Sequence, residues 1–592
     1  MNNIIKERLE KFREIMKEKG INYYIIPSSD SHGSEYVSEH FKGREFMSGF
    51  TGSAGTLLIS LDKAILWTDG RYFIQAEKEL KGSDINLFKM RVEGYPTLNE
   101  WIKENIKKDE VLAFDGKVFS VNDYKAFKEI EKSNEFKIKI DEDLLQYVWN
   151  DRPELPMEKV FIHDIKYAGK SRIEKLKEIR EKMNFLNVNS YILTSLDDIA
   201  WLYNIRGNDI SYNPVVLSYS IIKEDKAFIY IDGKKISNDV KRELEEDNIF
   251  IKGYEKIIED TKLLDGNIFI DPKKVNSLIY ENINLNCKII EELNITTSLK
   301  AIKNKIELEN LNRCQIRDGI AMVRFRMWLE NNVGKEKITE ISASDKLKEF
   351  RSYGNLYKGI SFNTIAGYKE HAAMMHYSAS KTSDYELKKE GLFLVDSGGQ
   401  YLDGTTDITR TFVLGNISEE EKNDFTLVLK GHINLITTKF LDGTTGSNID
   451  IKAREPLWDK GIDYKCGTGH GVGFFLNVHE GPQSISPIQN NVVLKPGMII
   501  TNEPGIYKEG KHGIRTENTM LVVEDKETEF GKFYKFDIIS FCPIDIKGIN
   551  KELLNKKEIE WINNYHEIVR EKLSKYLNGD ELNFLKEITE KI

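Results

Sequence analysis

Four segments in the second half of the chain set oxygen and imidazole groups at the ends of apolar runs. In GLFLVDSGGQYLDGTTDITRTF, the apolar run at residues 392–395 reads as a buried strand that delivers Asp396, and Asp407 opens a further strand over residues 408–413. The intervening Gly398-Gly399 and Asp403-Gly404 permit a tight return, so two neighbouring strands can bring both carboxylates to one point. Taken alone, the two Asp residues read equally well as turn formers or caps. The segment CGTGHGVGFFLNVHEGP carries His470 and His479, with glycines at 467, 469, 471 and 473 around the first. So much glycine is entropically costly and implies close approach to something other than packed side chains. In LKPGMIITNEPGIY a strand at 498–501 leads to Glu503, and in GIRTENTMLV Glu517 precedes a strand at 519–523.

An isolated buried charge costs several kcal/mol or neutralises itself. Four carboxylates aimed into one apolar unit therefore call for cations, and their charge balances two divalent ions. Asp396, Asp407, His470, Glu503 and Glu517 form an oxygen-rich set with one imidazole, which suits Mn²⁺, with Zn²⁺, Co²⁺ and Fe²⁺ open to the same donors. Two ions about 3.5–4 Å apart share a water, lower its pKa and polarise a carbonyl oxygen. That is machinery for hydrolysing an amide or ester.

The elements that must position these groups begin with a long helical pattern at residues 305–330, carrying Leu308, Leu311, Ile316, Ile320, Met322 and Trp328. Six of the ten histidines, His371, His376, His432, His470, His479 and His512, fall in the glycine-rich stretch from 363 to 518. The tail is helical, with Trp561, Tyr565 and Val569 at spacing four, and reads as a packed extension. In the first half, residues 21–73 and 188–235 look alike. Each follows a helix (5–17 and 173–183), starts with a short strand ending in Ser and Asp, and closes a later strand pair on Asp-Gly (Asp69-Gly70, Asp232-Gly233). Helices alternating with strands predict two related α/β domains. The first helix predicts an apolar stripe of Ile4, Ile5, Leu9, Phe12, Ile15 and Met16. At 592 residues several domains are expected, since single cores stop growing at roughly 250–300 residues.

The net charge of −9, from 86 basic and 95 acidic residues, argues against a nucleic-acid partner. Cys287, Cys314, Cys466 and Cys542 lie far apart, which argues against a disulfide scaffold or zinc knot and for reduced thiols in a cytoplasmic protein. No signal-peptide core and no run of ~18–20 apolar residues is present, so no membrane partner is expected.

The order Asp, Asp, His, Glu, Glu within DSGGQYLDGTTDITRTF, GTGHGVG, NEPGIY and IRTEN resembles the pita-bread metallopeptidases. Within them it is most similar to the three-domain form of aminopeptidase P (Xaa-Pro aminopeptidase). SGFTGSAGTLLI and WTDGRYF match the first domain of that form and WINNYHEIVREKL its tail, so the resemblance covers nearly the whole chain. It implies an α/β (α+β) fold: creatinase-like domains at 1–155 and 156–303, a pita-bread catalytic domain at 304–545, and a helical extension at 546–592. It implies that Asp396 and Asp407 bind one metal, that His470 and Glu503 bind the other, and that Asp407 and Glu517 bridge. Glu503 is then the general base toward a bridging hydroxide, His376 meets substrate near the scissile bond, His479 stabilises the developing oxyanion, and Arg515 orients the ligand carboxylates. The substrates implied are short peptides with proline second, the N-terminal domains restrict the cleft to such peptides, and the assembly implied is a homodimer.

One position departs from the pattern: many relatives read HGTGH, and Cys466 replaces the first histidine. It borders the proline side of the substrate, so specificity there is expected to change while the five ligands stay intact. His371 and His512 match no catalytic position and are expected at the surface. The rival readings are a prolidase-type dipeptidase, which usually has one N-terminal domain, a methionine aminopeptidase, which lacks these domains, and creatinase-like hydrolysis without metal or an inactive pita-bread binding module, both of which would have lost ligands.

Overall fold

The computed structural model describes residues 2–592. It forms two units: one holds the chain up to His163 together with Lys170–Ser298, the other Asp164–Gly169 with Leu299–Ile592.

The first unit contains the same sheet twice. In the first copy Tyr23–Pro27 pairs antiparallel with Thr56–Ser60, which pairs antiparallel with Ala64–Thr68, and that strand runs parallel to Asn86–Lys89. On its other edge Tyr23–Pro27 runs parallel to Val111–Ala113, which runs parallel to Lys137–Lys139. Ser190–Leu193 occupies the corresponding place in the second copy, with Tyr219–Lys223, Ala227–Tyr230 and Ile249–Lys252 on one side and Asn267–Ile270 and Lys288–Glu291 on the other, in matching order and direction. The internal likeness read from the sequence is thus a topological repeat. Helix Asn2–Glu18 buries Ile5, Leu9, Phe12 and Met16 against the first sheet's core, whereas Ile4 is 51% exposed and does not belong to the stripe.

The second unit opens on helix Lys305–Asn332, started by a capping box between Asn304 and Glu307. Three strands, Ile365–Tyr368, Leu392–Ser397 and Ile408–Val413, form one antiparallel sheet. A six-stranded antiparallel sheet runs Phe440–Leu441, Gly531–Ile538, Asn518–Thr528, Ile499–Asn502, Gly469–Gly471, Glu480–Ile485. Gly505–Lys508 and His512–Arg515 make a separate ribbon. Helix Glu419–Ile436 and the tail helix Lys556–Leu573 share a core with these sheets through Phe425, Val428, Leu429, Tyr565 and Val569. The tail is therefore packed, and Trp561 stacks on Tyr565 at 5.4 Å. Among the described residues no helix is long and apolar enough to cross a membrane.

Candidate metal centre

Register brings the carboxylates together. Leu392–Ser397 pairs with Ile408–Val413 so that Asp396 lies opposite Thr409, leaving Asp407 at the mouth of the same strand pair. The Glu517 backbone N–H donates to Thr409 O at 3.2 Å, and Thr409 Oγ1 donates to Glu517 Oε2 at 2.7 Å. On the other sheet the Glu503 N–H donates to Thr468 O at 2.8 Å, two residues before His470. Gly469, Gly471 and Gly473 answer to neighbouring backbone rather than to ligand, while Gly467 has room for a Cβ. A Cβ on Gly469 would sit 2.0 Å from Thr501 O and one on Gly471 2.2 Å from Glu480 O, so only bare backbone lets these strands approach.

Two ligand groups result. Asp396, Asp407 and Glu517 form one, His470, Glu503 and Glu517 the other, each with its donor atoms within 4.8 Å of one another and with Glu517 in both. His470 Nε2 lies 3.4 Å from Asp407 Oδ2 and 3.3 Å from Glu503 Oε1. His479 joins Asp407 and His470 in a third group, its ring edge-on to His470 at 4.4 Å. Asp396 Oδ1 and Glu517 Oε1 are buried with no protein donor, which leaves both oxygens open to a cation.

Without cations the cluster must hold protons instead. Burial pushes the Asp396 carboxyl up to about 6, against the pull of Arg515 and with Asp407 and Glu503 adding to the rise. Burial, then Asp407, Glu503 and Asp396, push Glu517 well above the carboxylate range. Burial works against charge on His470, yet its hydrogen bond to Asp407 and the charges of Glu503 and Asp407 raise it to about 9. Four hard carboxylates with one or two borderline imidazoles fit two divalent ions, and this is a dinuclear divalent-metal site.

Arg515 ties the surroundings to the ligands. It donates to Asp396 Oδ2 at 2.5 Å, to Thr409 Oγ1 at 3.2 Å, to Tyr507 Oη at 2.6 Å and to Met375 O at 3.4 Å. The last contact holds the residue preceding His376, which is half-buried. Behind His479, the buried Glu480 pairs with Lys303 at 2.6 Å and Lys300 at 3.3 Å. Cys466 is half-buried, packs with the core that includes Tyr507, and belongs to no ligand group. Burial and the Glu503 carboxylate push its thiol up to about 12.

His371 and His512 are not surface residues. They are 9% and 3% exposed, and pair with Glu340 at 3.0 Å and with Asp424 at 2.7 Å. A histidine in a polar stretch carries no sign of an acidic partner 31 or 88 residues away. Thr409 and Thr411 were missed as supports of the site. The alternation in ITRTF puts both on one face, where Thr411 Oγ1 donates to Arg515 O at 3.0 Å.

Four family models match in order: Creatinase/Prolidase N-terminal domain at residues 8–139 and again at 151–307, metallopeptidase family M24 at 309–524, and C-terminal region of peptidase M24 at 532–592. A probable Xaa-Pro aminopeptidase P of Paracoccidioides brasiliensis is 42% identical, covering 99% of each chain. Xaa-Pro aminopeptidase 1 of Dictyostelium discoideum is 41% identical over 98% of this chain and 96% of its own. The crystal structure of X-prolyl aminopeptidase from Caenorhabditis elegans, a cytosolic enzyme with a di-nuclear active site, superposes with a TM-score of 0.95 at 33% identity, covering 99% of this chain and 100% of its own.

Proposed function

The chain belongs to the M24 metallopeptidases, in the three-domain Xaa-Pro aminopeptidase form, and from that premise we propose that it removes the N-terminal residue, whatever its side chain, from short peptides whose second residue is proline. The observation that carries this reading is the pair of ligand groups sharing Glu517, in a chain similar over its full length to such enzymes. Asp396, Asp407, His470, Glu503 and Glu517 would hold two divalent ions, which when bound would lower the pKa of a water and polarise a substrate carbonyl. Mn²⁺ is the ion proposed, from the oxygen-rich donor set.

Glu503, steadied by Thr501 Oγ1 at 3.1 Å, takes the proton of the attacking water and returns it to the leaving nitrogen. His479 donates to the carbonyl oxygen as charge builds there. His376 meets the substrate beside the scissile bond, and Arg515 holds Asp396 in place. A proline second residue makes the scissile bond a tertiary amide without an N–H, so a site that sets no acceptor there loses nothing on binding it. Cys466 lines the proline side. We divide the chain into domains at 155, 303 and 545, and read it as a cytoplasmic homodimer. Support for the location is the description of the C. elegans enzyme as cytosolic.

The test is hydrolysis of Arg-Pro-Pro, Arg-Ala-Ala and Ala-Pro by metal-stripped protein before and after adding Mn²⁺. Release of Arg from Arg-Pro-Pro alone, restored by Mn²⁺, is the expected result. Cleavage mainly of Ala-Pro would make the protein a prolidase, and no cleavage with any divalent ion would make it a binding module.

A further inference from the structure

We propose that Glu340 is a positioning residue for His376, the carboxylate that sets this histidine against the substrate. The inference rests on the reading of His376 given above. Glu340 is the first residue of helix Glu340–Ser352 and is fully buried. Among the described residues its carboxylate takes donors from the segment that carries His376: Tyr368 N at 2.8 Å, His371 Nδ1 at 3.0 Å, Tyr377 Oη at 2.9 Å and Tyr385 N at 3.0 Å. A carboxylate only accepts, so Nδ1 is the protonated nitrogen of His371. Four donors and the start of a helix stabilise this buried charge without a cation.

His376 lies between two of those anchors, and a third holds it from the other side. The hydroxyl of Tyr377, the next residue, is fixed by Glu340, while the carbonyl of Met375, the preceding residue, accepts from the same Arg515 Nη2 that grips Asp396. Upstream the backbone has no slack. A Cβ on Gly513 would lie 1.8 Å from Ala372 O, so the ribbon strand His512–Arg515 packs directly on the chain that leads into His376. The His371 ring stacks on Tyr385 at 3.7 Å and leans on Tyr377 at 4.5 Å, which closes the loop over the carboxylate. Glu340 and Arg515 thus clamp residues 375–377 between the helix and a metal ligand.

The test is a double-substitution cycle in the full-length, Mn²⁺-loaded protein, following kcat and KM for Arg-Pro-Pro in Glu340→Gln, His376→Ala and the pair. Glutamine keeps the volume but turns an N–H₂ toward donors. Misplacing a reacting group by about 1 Å costs on the order of 100-fold, so Glu340→Gln is expected to lower kcat some 10- to 100-fold, with KM and metal content unchanged. In the His376→Ala background the same change is expected to cost no more than about twofold, since residues acting as one unit do not add. Equal losses in both backgrounds, or lost metal, would overturn the proposal. If His376→Ala alone kept full activity, the reading of His376 would fall and the proposal with it. Should Glu340→Gln not be recovered folded, Tyr377→Phe, which removes a single hydroxyl from the clamp, carries the same cycle to the same two outcomes.

Discussion

Thr409 Oγ1 donates to Glu517 Oε2 at 2.7 Å, leaving Oε1, the other oxygen of a carboxylate shared by both ligand groups, without a protein donor. One oxygen is steered by the fold and the other is left open to a cation. Support of this kind fixes a ligand's direction before any ion arrives, and its loss costs about 10- to 100-fold in metal affinity or activity elsewhere.

Thr409→Val keeps the β-branched shape of a buried strand residue and removes the hydroxyl. Mn²⁺ affinity, read by titrating stripped protein, is expected to fall by about 10- to 100-fold with the melting temperature of the loaded protein lowered in step. Unchanged affinity would mean that Glu517 needs no such guide.

Metal binding is expected to strengthen as pH rises. In the metal-free chain Asp396 sits near 6, above its ordinary value, so the folded state keeps a proton that the unfolded state releases. That contribution to stability is complete below about 4 and is lost as pH rises through 6. His470, raised to about 9, behaves alike: its contribution is complete below about 6.5 and lost as pH rises through 9. Stripped protein therefore loses stability as pH climbs, while ions, which displace these protons, bind better. Calorimetric titration with Mn²⁺ at pH 7.5 in two buffers of different ionisation heat measures the protons released, expected to be about one per protein from His470. Zero release would contradict the placement of His470 among the ligands.

Cys466 is expected to resist alkylation. Burial and Glu503 hold its thiol near 12, so almost no thiolate exists at pH 8. Iodoacetamide at that pH, followed by mass spectrometry of the peptides, should leave Cys466 unmodified and activity intact. Rapid labelling of Cys466 with loss of activity would instead make it an accessible, reactive thiol beside the metal centre.

The four carboxylates of the cluster were legible because each stands at one end of an apolar run, where it serves either as a turn former or cap or as a group facing a cation. The two first-half sheets were legible for a similar reason, since strand, turn and helix recur in one order. What surrounds the ligands was not. Glu340 reads as an ordinary acidic residue in a helix's first turn, and nothing local says that His371, Tyr377 and Tyr385 will return to it. Residues 164–169 read as part of the first half, yet they belong with the second unit, where Asn304 and Asn310 donate to the carbonyls of Ala168 and Lys166. Local pattern reports periodicity and chain ends; it carries no information about which distant backbone group a side chain meets.

The tail is expected to stabilise the metal site's support through one hydroxyl. Tyr565, on helix Lys556–Leu573, donates to Cys542 O at 2.8 Å and accepts from Arg410 Nη2 at 2.9 Å. Arg410 is 1% exposed, and its Nη1 donates to the backbone carbonyls of Thr409 and Glu517, at 2.8 Å and 2.5 Å. Tyr565→Phe leaves the ring packed and leaves Arg410 Nη2 on Cys542 O and Asn518 Oδ1, at 2.6 Å and 2.7 Å, but removes the hydroxyl's own hydrogen bonds, which costs about 0.5–1.5 kcal/mol. Thermal unfolding of the stripped protein should fall by several degrees, as such a loss does in units of this size. Metal affinity should fall far less than in Thr409→Val, because Arg410 reaches Glu517 through the backbone and leaves the carboxylate to Thr409. A Tyr565→Phe protein that melted normally yet lost metal would show that the tail acts on the ligands directly rather than through Arg410.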